Sequence, residues 1–169
     1  MPPLRRQQRS LKTTTMKGKC TMSSLEERLK GVRMEDMKQF LEENKDEILK
    51  EEHAFSDYMR TVIKEKGLSQ QDIFLYADIP ERYGYKLISQ EKHTRQRDII
   101  LRICYAANFT LEETQRALQL YQMPELIPEF ARDAMIMAAI NSRPGDIIEL
   151  NMMLKNNGFI PLRSSGTLE

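Results

Sequence analysis

Apolar residues in this chain recur at helical spacing, and no stretch shows the two-residue alternation of a half-buried strand. Phe55, Tyr58, Met59, Val62 and Ile63 form an i, i+3, i+4, i+7, i+8 stripe, and Gly67 stands where a left-handed cap would end that helix. Ser69, three residues before Asp72, spells a new helix start; Ile73 and Ala77 then fall one turn apart, which predicts a helix of about two turns. Asp78-Ile79-Pro80 interrupts it. Pro80 has no N–H to give and a fixed φ, so it suits the first turn of a following helix. That helix would carry Glu81, Arg82, Tyr83, Tyr85 and Lys86 outward, with Leu87 and Ile88 turned inward. After a loop over 90–96, Arg97 to Ala107 reads as a helix with Ile99, Ile100, Ile103 and Cys104 inward. Thr110-Leu111-Glu112-Glu113 is a capping-box spelling for a helix through Tyr121, with Leu111, Thr114, Leu118 and Tyr121 on one side. These helices predict an all-α unit of five helices over residues 53–122.

The flanks differ in character. Residues 1–22 hold Arg5, Arg6, Arg9, Lys12, Lys17 and Lys19 against no acid and few large apolar groups, which predicts a disordered basic leader. It is either a solvated arm or one that reaches nucleic acid. Residues 23–52 predict N-terminal helices: a capping-box start at Ser24 with Leu25, Leu29 and Val32 on one face, then a helix from Met34 with Met37, Phe40, Leu41, Ile48 and Leu49 at helical spacing. Residues 123–163 predict a C-terminal helical hairpin. Its first helix follows Pro128 and is made apolar by Phe130, Ala134, Met137, Ala138 and Ile140, and its second carries Ile147, Ile148, Leu150, Met153 and Leu154. The hairpin is apolar on more than one face, so it either extends the core or, being rich in Met, forms a dimerisation surface. Residues 164–169 are a polar tail.

Charge and chemistry narrow the function. The net charge is only +1, but the stretch from Pro80 to Arg102 is basic inside an acidic frame, as expected of a phosphate-facing edge. Cys20 and Cys104 make no disulfide framework; Cys104 on an apolar face is expected to be a buried, inert thiol in a reducing cytoplasm. No run has the apolar length to cross a bilayer. His53 and His93 are far apart, neither lies in a ligand-spaced motif, and no Gly-rich phosphate loop follows a strand. Neither an enzyme nor a bound metal or cofactor is expected. Arg82 and Lys86 share a helix face with Tyr85 beside them, a set suited to guanine and phosphate, and Lys92, Arg95 and Arg97 would meet the flanking backbone. The competing reading is an ordinary charged face with Arg82 paired to Glu81 or Glu91.

The order Gly67-Leu68-Ser69-Gln70-Gln71-Asp72-Ile73, then Ile79 before a second helix, then Arg97 to Ala107 and Phe109-Thr110-Leu111-Glu112-Glu113, resembles the phage-repressor, or XRE-type, helix-turn-helix domain. The resemblance covers about Phe55 to Tyr121. More loosely, the chain is similar to uncharacterised helix-turn-helix regulators of Gram-positive bacteria through Leu162. It implies a lambda-repressor-like five-helix fold that binds double-stranded DNA as a homodimer. Gln70, with Gln71 beside it, would then touch phosphate or a base edge, and Glu81, Arg82, Tyr85 and Lys86 would form the reading face. Three positions depart from the pattern: Phe74 replaces a small Ala, Asp78 replaces a turn Gly, and Gly84 replaces a branched aliphatic. A large residue opposite a missing side chain conserves volume, so Phe74 is expected to fill the space over Gly84. The alternative function is a protein-interaction module that keeps the scaffold without DNA binding, its partner meeting the N-terminal helices or the C-terminal hairpin.

Overall fold

The computed structural model describes residues 23–48 and 52–166, and every regular element among them is a helix. In chain order these are α1 (Ser23–Leu29), a 3-10 turn at Met34–Asp36, α2 (Met37–Glu43), α3 (Ala54–Glu65), α4 (Gln70–Tyr76), α5 (Glu81–Ile88), α6 (Arg97–Ala106), α7 (Leu111–Leu120), α8 (Ala131–Ser142) and α9 (Ile147–Asn156). The chain divides into two compact units, residues 1–48 and 49–169. The basic leader at 1–22, Leu49 and Lys50 of the N-terminal segment, and the end of the tail at 167–169 lie outside the described residues.

In the first unit, the helix expected to run from Met34 to Leu49 is shorter. It ends at Glu43 because the Asn44 carboxamide turns back to donate to the Phe40 carbonyl at 2.7 Å. The Asn44 carbonyl oxygen in turn accepts from Arg28 of α1 at 2.6 Å, and Arg28 also pairs with Glu47. A side chain that satisfies its own helix end competes with another turn of helix.

The second unit is built around α6. Every residue from Ile99 to Tyr105 is buried, so this helix has neighbours on all sides; α4, α7 and α9 pack against it. Phe55 and Met59 of α3, Phe74 of α4, Leu87 of α5, Phe109 and Leu118 fill the same core, each fully buried and each contributing roughly 1.5–3 kcal/mol by leaving water. The start signals at Ser69 and Thr110 act as their spelling predicts. Ser69 Oγ accepts from the Asp72 N–H at 3.1 Å. Thr110 and Glu113 complete a reciprocal capping box at 3.1 and 2.7 Å.

The hairpin joins this core through Ile136, Ala139, Ile140, Ile147, Leu150 and Leu154. Two expectations there are corrected. Pro128 lies in a turn rather than in the helix, and Phe130, at the cap position before Ala131, is 60% exposed. The inward face of α8 is Asp133, Ile136, Ala139 and Ile140. A carboxylate holds the inward position because Asp133 is paired inside the unit with Arg97, whose guanidinium donates to both carboxylate oxygens at 2.6 and 3.0 Å. On α9, Ile147 is buried while Ile148 stands 63% exposed.

Candidate nucleic-acid interface

The link between α4 and α5 is a tight turn whose geometry comes from named contacts. Asp78 takes a left-handed conformation, φ 54°, and the Ile79 N–H donates to the Phe74 carbonyl at 3.0 Å, so the chain reverses within a few residues. Arg102 holds the turn from beneath. Buried on α6, it donates to the Ala77 carbonyl at 2.7 Å and to the Leu162 carbonyl at 3.1 Å. Desolvation lowers its pKa, with Asp78 and Asp98 opposing. Arg102 was counted in the basic stretch, but its charge is spent on carbonyls inside the fold.

Pro80 precedes α5 as its cap, and its carbonyl accepts from the N–H groups of Tyr83 and Gly84 at 2.9 Å. Gly84, Leu87 and Ile88 face inward. The ring of Phe74 lies against Gly84: a Cβ built there would stand 2.4 Å from Phe74 Cδ1 and 2.5 Å from Cε1, so the large residue does occupy the space the glycine leaves. The same ring meets Tyr85 edge-on, centroids 5.0 Å apart at 81°. Missing volume at Gly84 therefore lets α5 sit close on α4 and props Tyr85 outward at once.

Outward, α5 presents Glu81, Arg82 and Tyr85, all exposed, with Lys86 part-buried beside them. Gln70, Arg82, Tyr85 and Lys86 line one open groove of about 300 Å³, together with Arg60 of α3 and Glu91. Arg60 escapes sequence reasoning because nothing local distinguishes it from any other charge on an amphipathic helix. Neither Arg60, Arg82, Lys86, Lys92 nor Arg95 enters an ion pair with a described carboxylate, so Arg82 is not paired with Glu81 or Glu91 here.

The remaining candidates lie elsewhere. Gln71 is exposed and approaches Glu81 at 3.5 Å, the outer limit of a hydrogen bond. Lys92 sits over the Tyr83 ring, 5.0 Å from its centroid, in a loop tied down by Thr94 N–H donating to the Tyr121 hydroxyl at 3.0 Å. Arg95 is exposed. Arg97 is the correction: its fork is closed on Asp133, with a further bond to the Glu125 carbonyl at 3.1 Å, so a phosphate could reach it only by opening a largely buried pair.

Burial raises the Cys104 thiol well above its ordinary range. No cluster of three or more His, Cys, Asp or Glu among the described residues is placed to hold a metal ion. No helix among them is long and apolar enough to cross a membrane. No family model matches this chain, and no curated protein or solved structure matches it either.

Proposed function

We propose that this chain is a sequence-specific, double-stranded-DNA-binding transcription regulator of the cytoplasm, acting as a homodimer. In this reading helices α3 to α7 make up a lambda-repressor-like five-helix domain, and α5 is the element that enters the major groove. One observation carries the reading: Gln70, Arg82, Tyr85 and Lys86 share one open groove, and none of its cations forms an ion pair with a described carboxylate. Arg82 would form a forked contact to guanine, Lys86 a contact to guanine or phosphate, and the Tyr85 hydroxyl a bond to phosphate. Lys92 and Arg95, with Arg60, would position the flanking backbone; Glu81 is suited to a cytosine amino group.

A second reading, a protein-interaction module on the same scaffold, is favoured by the net charge of only +1 and by Glu91 in the groove. A salt series on a duplex selected from a random pool separates the two. With Arg60, Arg82, Lys86, Lys92 and Arg95 on phosphate or base, log K should fall against log salt with a slope of about −4 per protomer. Arg82→Ala should weaken the preferred duplex about 10- to 100-fold while sparing unrelated ones, and Arg95→Ala should weaken all duplexes alike. No selectable duplex at low salt would overturn the DNA reading; unaltered preference in Arg82→Ala would remove Arg82 from base recognition.

A further inference from the structure

A second groove, of about 630 Å³, lies between the end of α4 and the outer face of α9. It is lined by apolar side chains that the fold leaves in water: Leu75 is 74% exposed, Tyr76 61%, Ile148 63% and Met152 56%. Scattered exposed apolar residues are ordinary, but four large ones in a single concavity mark a contact surface. Their exposure has a cause in the sequence. Ile147, Leu150 and Leu154 already satisfy the core-facing side of α9, so Ile148 and Met152, one turn apart, form a second stripe that the monomer has no use for.

The charges around this stripe identify its occupant. Along the outer face of α9 the order is acid, apolar, apolar, base: Asp146, Ile148, Met152, Lys155. Asp146 caps the helix through Oδ1, which accepts from the Ile148 and Glu149 N–H groups at 2.8 and 3.1 Å, and its Oδ2 has no hydrogen bond to a described residue. Lys155 enters no ion pair with a described residue. A two-fold axis level with Leu150 reverses that order onto itself. Ile148 then meets the partner's Met152, and Lys155 falls within one residue, about 1.5 Å of rise, of the partner's Asp146. Each contact is made twice, as an isologous interface requires. The antiparallel arrangement also sets each helix C-terminus beside the other's N-terminus, a favourable alignment of dipoles.

We propose that this groove is the self-association surface of the chain, and that a second copy fills it with its own α9 antiparallel to the first. Leu75 and Tyr76 widen the contact beyond α9 and tie it to α4, so the partner is held by the helix that leads directly into α5. This inference specifies the dimer of the function proposed above; read without DNA, its failure is distinguishable from a failure of duplex binding.

The test is sedimentation of the full chain from about 1 to about 100 µM, without DNA, for wild type, Ile148→Glu and Phe130→Glu. Phe130 is an equally exposed control outside the groove, and far-UV circular dichroism checks that each variant is folded. Wild type should sediment as a concentration-dependent dimer. Ile148→Glu should raise its dissociation constant about 100-fold, since the substitution enters the interface twice, and Phe130→Glu should leave it unchanged. In a Cys20→Ser chain, paired Ile148→Cys and Met152→Cys substitutions should cross-link two copies under mild oxidation, while buried Cys104 stays unreactive. Wild type that stays monomeric overturns the proposal and leaves the groove to a different partner. So does a dimer that survives Ile148→Glu, or one lost equally in Phe130→Glu.

Discussion

Adding a single methyl group at Gly84 sets two effects of opposite sign against each other. Helix propensity alone says that Gly84→Ala stabilises α5 by about 1 kcal/mol, because glycine has more backbone entropy to lose. Packing says otherwise. The new Cβ would stand 2.4, 2.5 and 2.6 Å from Phe74 Cδ1, Cε1 and Cγ, where carbon pairs rest at about 3.5–4.0 Å. The ring must retreat by about 1 Å, yet Phe74 is fully buried with Tyr85 against its edge, and cores of ordinary density have no such slack. Overpacking of this kind costs about 1–3 kcal/mol, and an approach onto several ring atoms belongs at the upper end. The net expectation is a loss of about 1–2 kcal/mol, a fall of about 4–8 °C in the melting temperature for a unit of this size. Phe74→Leu removes part of the obstacle, so Gly84→Ala on that background should be far less damaging, with a coupling energy above about 1 kcal/mol in the double-mutant cycle. Thermal and urea unfolding of the four proteins reads this directly. If Gly84→Ala alone raises the melting temperature, propensity has won and the ring does not hold the place assigned to it.

Two further outcomes follow from groups inside the fold. Arg97→Ala should destabilise the chain by about 3 kcal/mol, since it strands the Asp133 carboxylate, which keeps only the Ile127 N–H at 3.1 Å. Duplex affinity of the folded variant should stay within about two-fold of wild type; a ten-fold loss without unfolding would return Arg97 to the interface. Alkaline stability should fall in two stages. Burial raises Cys104 from its ordinary 9.0, and burial first of all, with the Glu113 carboxylate second, raises Tyr58 from 10.0. Burial raises Tyr105 and Tyr121 from 10.0 as well. The folded chain therefore keeps protons that the unfolded chain releases, so stability is full below pH 9.0 and declines as pH rises. The Cys104 contribution is about 1.4 kcal/mol per pH unit, and the slope steepens above 10.0 as the tyrosines join. Cys104→Ala should move the onset in urea unfolding upward by about one pH unit; an unmoved onset would deny the thiol this role.

Where the determinants were themselves local the reading mostly held, the early end of α2 at Asn44 being an exception. The stripe of α3, the caps at Ser69 and Thr110, and the turn at Asp78 depend on residues within a few positions of one another. Even the Phe74–Gly84 contact is only ten positions apart, close enough for a volume argument across one turn to find it. The misplaced cations have one origin. Arg97 was assigned to phosphate because its partner, Asp133, lies 36 positions away on α8. Arg102 looked like part of a basic edge until its carbonyl partners, on the turn and near the C-terminus, came within reach.

The sequence by itself determined that the described chain is helical, where most of its helices start and stop, and which charges and aromatics α5 carries, since period and capping act over a turn or two. Only the tertiary structure decided which cations remain free. A guanidinium has the same local spelling whether it faces solvent, a buried carboxylate or a ring of carbonyls, and desolvation, which sets the difference, depends on neighbours brought in from distant helices. Arg82 and Arg97 are alike in sequence; packing leaves one in an open groove and closes the other on Asp133.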